Sequence, residues 1–204
     1  MSPAGARPSL SSCPREQAIR TLVLGLGNDL YGDDAVGIEL VRRLRQEAAC
    51  GRLPYCDPEK TDFEECALSG LALLDVITGY DTLLIVDTIK KAQPKTGRVR
   101  LLEADDLRAM PGPSPHYVSV PQTIEIGRKL GLHVPTRIRV VAVEAKNMYH
   151  LGEGMSAEMT MTLPRILARV KDVLKDLCGP AGARKRTGPP KGRPKARGLG
   201  KNRT

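Results

Sequence analysis

Two carboxylates and one imidazole hold most of the chemistry this sequence can offer. Asp34 follows the first apolar strand by a short loop, Asp87 lies near the end of the apolar stretch "LLIVDTI", and His116 sits in the proline-flanked "PSPHY" segment. As a set, two carboxylate oxygens and one imidazole nitrogen suit a borderline divalent ion such as Ni²⁺ or Zn²⁺ and leave coordination positions open. The three are far apart in the chain, so only a fold brings them together. Each also has an ordinary alternative. A carboxylate in an apolar run needs a partner, a proton or a metal, and the amides of a neighbouring loop would satisfy Asp87 as well. Asp34 could cap a helix. His116 could be a surface-loop residue, although its prolines lower the entropy cost of fixing the ring. The other two histidines are less well placed: His133 follows Gly131 at a helix end, and His150 sits in "NMYHLGEG".

The chain has no Gly-x-Ser-x-Gly elbow and no cysteine in a recognisable Cys–His setting, so a covalent serine or cysteine mechanism lacks a motif. Two carboxylates with a metal can polarise a carbonyl or lower the pKa of a bound water. One of them, Asp34 or Asp87, can instead act as general base.

The elements that must position these residues alternate between strand and helix. "TLVLGLG" (21–27) reads as a buried strand. "DDAVGIELVRRLRQEAA" places Gly37, Leu40, Val41, Leu44 and Ala48 on one helical face. Asp33 fits the cap of that helix, which frees Asp34 to point elsewhere. Lys60–Cys66 is a second strand. "SGLALLDVITGY" is a short helix with Ser69 as cap and Gly70 opening it. "DTLLIVDTI" (81–89) and "GRVRLLE" (97–103) are the third and fourth strands. "MPGPSPHYVSVPQ" is so rich in proline that it reads as a loop, followed by the helix "TIEIGRKLG", with Gly131 as its terminator. "RIRVVAVEA" (137–145) is the last strand. A final amphipathic helix spans about 156–177, and Pro164 either kinks it or marks its start. This alternation predicts a three-layer α/β domain: a twisted, mostly parallel central sheet with helices on both faces. Sites in such sheets gather at the carboxyl ends of the strands, where Asp34 and Asp87 fall.

Composition bounds the rest. The 204 residues carry a formal net charge of +9. Nine of the 32 Lys and Arg lie after Cys178, in a stretch without acids. The remainder holds 23 basic against 23 acidic residues. We therefore expect a flexible leader (1–19), one folded domain (20–178) and a disordered basic tail (179–204) able to make weak contacts with polyanions. No apolar run is long enough to span a bilayer, and the N-terminus has no apolar signal region, which points to a cytoplasmic protein without a membrane partner. The five cysteines are odd in number and irregular in spacing, so we expect ordinary thiols.

At this point "LGLGNDLYGDDAVG" resembles the N-terminal signature of the [NiFe]-hydrogenase maturation proteases. "SGLALLDVITGYDTLLIVDTI" resembles that family's helix and third strand. "ADDLRAMPGPSPHYVSVPQTIEIGRKLG" resembles its histidine region, and "RIRVVAVEAKNMYHLGEGMSAEM" its last strand and entry to the terminal helix. The resemblance covers roughly residues 20–177. It implies that Asp34, Asp87 and His116 are the metal-site ligands. It further implies an endopeptidase that trims the C-terminal extension of the hydrogenase large-subunit precursor, recognising nickel carried by that precursor. Nickel is then part of the substrate, and no organic cofactor is implied.

Three rival readings separate on particular residues. A dinucleotide-binding enzyme needs Gly-x-Gly-x-x-Gly and a carboxylate-free helix start. Here Gly25 and Gly27 are followed by Leu30, Asp33 and Asp34. A peptidyl-tRNA hydrolase also opens with "GLGN", but no histidine precedes His116, and the neutral core is a poor footprint for nucleic acid. A non-catalytic nickel or hydrogenase assembly factor would use the same three ligands without cleavage.

Overall fold

A computed structural model describes residues 19–103, 115–148, 151–152 and 154–179, with residues 115–119 described in backbone only. The described part runs β1 (Thr21–Leu26), α1 (Val36–Ala49), β2 (Thr61–Cys66), α2 (Leu73–Ile77), β3 (Thr82–Ile89), β4 (Val99–Glu103), α3 (Pro115–Lys129), β5 (Arg137–Glu144) and α4 (Ala157–Cys178). The five strands form one sheet in the order β2-β1-β3-β5-β4. All neighbours pair in parallel except β4, which runs antiparallel to β5.

The sequence explains the layering. Every residue of β1 and β3 is buried, as expected for central strands covered on both faces. Alternate side chains then serve two cores. Val23, Leu84 and Val86 pack with Leu40 and Leu44 of α1 and with Leu163 of α4. Leu22, Leu24 and Ile85 pack with Leu73 of α2 and with Val120 and Ile124 of α3. The arrangement is the three-layer α/β fold that the strand–helix alternation predicts. Fully burying one such aliphatic side chain stabilises the fold by about 1.5–3 kcal/mol, so the two cores carry most of the driving force.

One expectation fails in an instructive way. The proline-rich stretch is helical from Pro115 onward, while residues 110–114 lie outside the described residues. Pro115 is the first helical residue, where the missing N–H costs no intrahelical bond. Pro121 lies inside α3 and removes one bond, at a cost of about 3 kcal/mol. Burial of its neighbours Val120 and Ile124, each 2% exposed, offsets that cost. Gly131 ends the helix as expected, with φ +73 and its amide bonded to the Arg128 carbonyl at 3.1 Å. Pro164 lies well inside α4, so it does not mark that helix's start. The short second helix opens on a 3-10 turn, Gly70–Ala72, and Ser69 occupies its cap position without a side-chain capping bond.

Among the described residues no helix is long and apolar enough to cross a membrane. The basic tail beyond Gly179 and all of the leader but Ile19 lie outside the described residues.

Candidate functional site

The strand order reverses between β1 and β3: from β1 the chain crosses to β2 on one side and then to β3 on the other. Open α/β sheets leave a crevice at such a switch point, beyond the carboxyl ends of the strands. Asp34 follows β1, and Asp87 is the sixth residue of β3, so the topology puts both at this crevice.

The approach of α1 to the two strands depends on glycine. A Cβ on Gly37 would lie 2.2 Å from the Leu26 carbonyl oxygen and 2.5 Å from that of Val86. The helix start therefore sits directly against both β1 and β3. A Cβ on Gly27, whose φ is +148, would meet the Asp34 carbonyl oxygen at 2.0 Å. These glycines exist to bring the Asp34 turn onto the strand ends. Asn28 closes the turn between them, its side chain accepting from the Leu30 amide at 3.0 Å and its carbonyl from the Tyr31 amide at 3.1 Å.

Thr88 joins the two aspartates. Its hydroxyl donates to Asp34 Oδ1 at 2.7 Å, and its amide donates to Asp87 Oδ1 at 2.6 Å. Asp87 and Thr88 are fully buried, and Asp34 is half-buried. One residue at the end of β3 thus holds both carboxylates. The amide bond to Asp87 also realises the backbone-bonding alternative weighed for that residue, and it does not exclude a second partner.

Asp33 corrects an expectation. Residues Gly32–Ala35 form a 3-10 turn with no side-chain capping bond, and α1 likewise begins without one. Asp33 lies inside this turn rather than before it, and its carboxylate does not cap α1. It points inward, fully buried, and accepts from the Ser156 amide at 2.8 Å and the Ser156 hydroxyl at 3.1 Å. Ser156 is the cap of α4, its hydroxyl accepting from the Met159 amide at 3.1 Å. Asp33 therefore caps the cap of the last helix. Its own amide donates to Asn147 at 2.9 Å, and Leu30 accepts from the Gly152 amide at 3.0 Å. These bonds stitch the Asp33–Asp34 turn to the segment between β5 and α4. Sequence spacing missed this latch because 123 residues separate its partners.

His116 is the second residue of α3, and its side chain lies outside the described residues. The helix leads down to the start of β5, so it runs opposite to the parallel strands. Its N-terminal turn is then on the carboxyl side of the sheet, the side of Asp34 and Asp87. Thr123, one to two turns later, donates to the Gly70 carbonyl just beyond β2 at 2.9 Å. Among the described residues no three His, Cys, Asp or Glu side chains converge in a way that could hold a metal. A cleft of about 420 Å³ at the outer edge of β2, lined by Glu64–Leu68, Val76 and Tyr80, includes neither aspartate.

Fold and site together define a three-layer α/β protein with acidic side chains at the switch-point crevice. A family model described as hydrogenase maturation protease (HycI) matches residues 55–173, a span that includes Asp87 and His116. The chain is similar to the hydrogenase 2 maturation protease of Escherichia coli (strain K12): 26% identical over 159 residues, covering 76% of this chain and 92% of that one. It is also similar to the hydrogenase expression/formation protein HupD of Rhizobium leguminosarum bv. viciae, at 22% identity over 78% of this chain and 75% of that one. The solved E. coli hydrogenase maturating endopeptidase HybD shares the fold, with TM-score 0.65 and 24% identity over 78% of this chain and 94% of that one. The protein belongs to the hydrogenase maturation protease family, and its role is that of an endopeptidase in hydrogenase maturation.

Proposed function

We propose that this chain removes the C-terminal extension of a [NiFe]-hydrogenase large-subunit precursor once nickel is in place, and that Asp34, Asp87 and His116 meet that nickel. The observation that carries the reading is Thr88 holding Asp34 and Asp87 together with two neutral donors. The Thr88 hydroxyl satisfies a lone pair of Asp34 without cancelling its charge, so this carboxylate keeps the negative potential a cation requires. Carboxylates and imidazole suit nickel, which is borderline between hard and soft. The metal belongs to the precursor; bound there, it marks the mature active site and polarises nearby groups.

Within this reading the two aspartates differ in access. Asp87 is enclosed, whereas Asp34 is partly open to solvent and is the better placed to take a proton from an attacking water. Exposed leucines flank the crevice, Leu30 and Leu151 on the stitched loops and Leu68 and Leu71 beyond β2. They give an extended peptide apolar surface to lie on.

The test compares a nickel-loaded large-subunit precursor with the same precursor lacking nickel, each incubated with the purified protein. Mass spectrometry should find a small C-terminal fragment released in the first case only. Equal cleavage of both precursors would remove nickel from the reading. Cleavage that persists in an Asp87→Asn, His116→Gln double variant would remove the site. Nickel-dependent binding without any cleavage would leave an assembly factor.

A further inference from the structure

At the opposite end of the sheet from the carboxylates, two cysteines 122 residues apart in sequence lie in contact. Cys56 Sγ and Cys178 Sγ are 3.9 Å apart. Cys56 belongs to the segment between α1 and β2, and Cys178 is the last residue of α4. Both are half-buried against the α1/α4 core beside Tyr55.

We propose that Cys56 and Cys178 are a dithiol that closes to a disulfide when it meets a peroxide, locking the end of α4 to the entry of β2. Closing the gap from 3.9 Å to the roughly 2.05 Å of an S–S bond asks for side-chain rotation and a small shift of the loop. The surroundings assign the roles. Cys178 is held below the ordinary thiol range: the Cys56 thiol donates to it and the Thr61 and Thr21 hydroxyls add to the effect, as does the charge of Arg137, against the opposing effect of burial. Arg137 is fixed there, donating to the Leu177 carbonyl at 3.1 Å and the Asp176 carbonyl at 2.9 Å. Cys56 moves the other way, raised by its donated hydrogen bond to Cys178 and by burial.

Cys178 as thiolate attacks one peroxide oxygen, the O–O bond breaks, and hydroxide leaves to become water. The product is a sulfenic acid on Cys178. Cys56 gives up its proton and attacks that sulfur, the S–O bond breaks, and a second water leaves. Two thiols lose two electrons in all, and one peroxide becomes two waters. The contact distance makes the second step fast relative to over-oxidation. Cys50 is exposed and has no thiol neighbour among the described residues, so the same oxidant leaves it without an internal partner.

The lock acts on stability, because both sulfurs sit at the amino ends of β1 and β2, away from Asp34 and Asp87. A cross-link closing a loop of this length should raise Tm by roughly 5–15 °C. The full-length chain is treated with a small excess of hydrogen peroxide, and non-reducing peptide mapping and thermal melts are recorded before and after dithiothreitol. The expected result is a Cys56–Cys178 cross-linked peptide two hydrogens lighter than its parts and a Tm rise that dithiothreitol reverses. Neither change should occur in Cys56→Ser, which should accumulate sulfenic acid or its trapping adduct on Cys178. The idea is overturned if mapping finds no Cys56–Cys178 peptide in the wild type. It is also overturned if Cys56→Ser and Cys178→Ala show the same oxidant-dependent Tm rise. Should Cys56→Ser fold poorly, the wild-type map alone decides.

Discussion

Two buried acidic corners share the carboxyl edge of the sheet, and they handle burial differently. At the outer corner, between β5 and β4, Glu144 is 1% exposed. It accepts from the Arg100 guanidinium at 2.7 Å and the Lys95 amide at 3.0 Å. At the inner corner, between β1 and β3, Asp33 and Asp34 accept from an amide and hydroxyls. Among the described residues neither of the two forms an ion pair. A neutralised carboxylate is a structural fixture; a carboxylate satisfied by neutral donors still attracts a cation. The outer corner holds the antiparallel edge strand in place, and on the proposed reading the inner one meets a positive ligand.

Within the inner corner the contrast sharpens to two neighbours. Asp33 faces the cap of α4 and Asp34 faces Thr88, so substitution should separate their roles. Asp34→Asn keeps the shape and an acceptor for Thr88 but removes the charge. Nickel-dependent cleavage should fall on the order of 10²-fold or more, with Tm nearly unchanged. Asp33→Ala strips two bonds from Ser156, each worth about 1.5–3 kcal/mol with a charged partner. It should lower Tm by roughly 5–15 °C while the protein that remains folded still cleaves. If both substitutions affect activity and stability alike, the two aspartates do not divide the work.

The seat of α1 comes next. Gly37→Ala forces a methyl against two strand carbonyls at 2.2 and 2.5 Å. Overpacking of this kind costs about 1–3 kcal/mol. It should also push the Asp34 turn away from Thr88, so cleavage falls along with Tm. An Ala variant with wild-type melting and cleavage would show that the helix start is free to rise without disturbing the inner corner.

Much of this was legible in the sequence. The strand–helix alternation gives the three layers, and the filter of strand ends singles out Asp34, Asp87 and His116 as candidates. What stayed hidden depends on contacts across long separations. Asp33 looks like a cap because it precedes a helix, yet it lies inside the 3-10 turn before α1 and bonds a serine 123 residues away. Cys56 and Cys178 carry no motif, because their contact comes from α4 packing beside α1 and the segment that follows it. The helix from Pro115 onward defeats local propensity because Val120 and Ile124, buried on the inner face of α3, outweigh one lost hydrogen bond. Thr88 was within reach: a hydroxyl residue directly after a strand-end aspartate is a natural donor to whatever carboxylate faces it.

The smallest effect belongs to the outer corner, and it is read by pH. Burial alone would raise the Glu144 carboxyl, but the Lys95 amide and the Arg100 guanidinium outweigh it and hold it below its ordinary value of 4.5. A group whose folded pKa is depressed contributes stability that is complete above the unfolded pKa and is lost as pH falls through the folded one. Wild-type Tm should therefore carry a component that is flat above about pH 5 and declines below 4.5. In Glu144→Gln that component disappears: Tm is a few degrees lower near neutrality, and the two curves converge as the solution is acidified. Melts recorded between pH 3 and pH 7 decide the matter. Curves that stay parallel throughout would mean that Arg100 contributes packing rather than charge, and the outer corner would then cease to be the neutralised counterpart of the inner one.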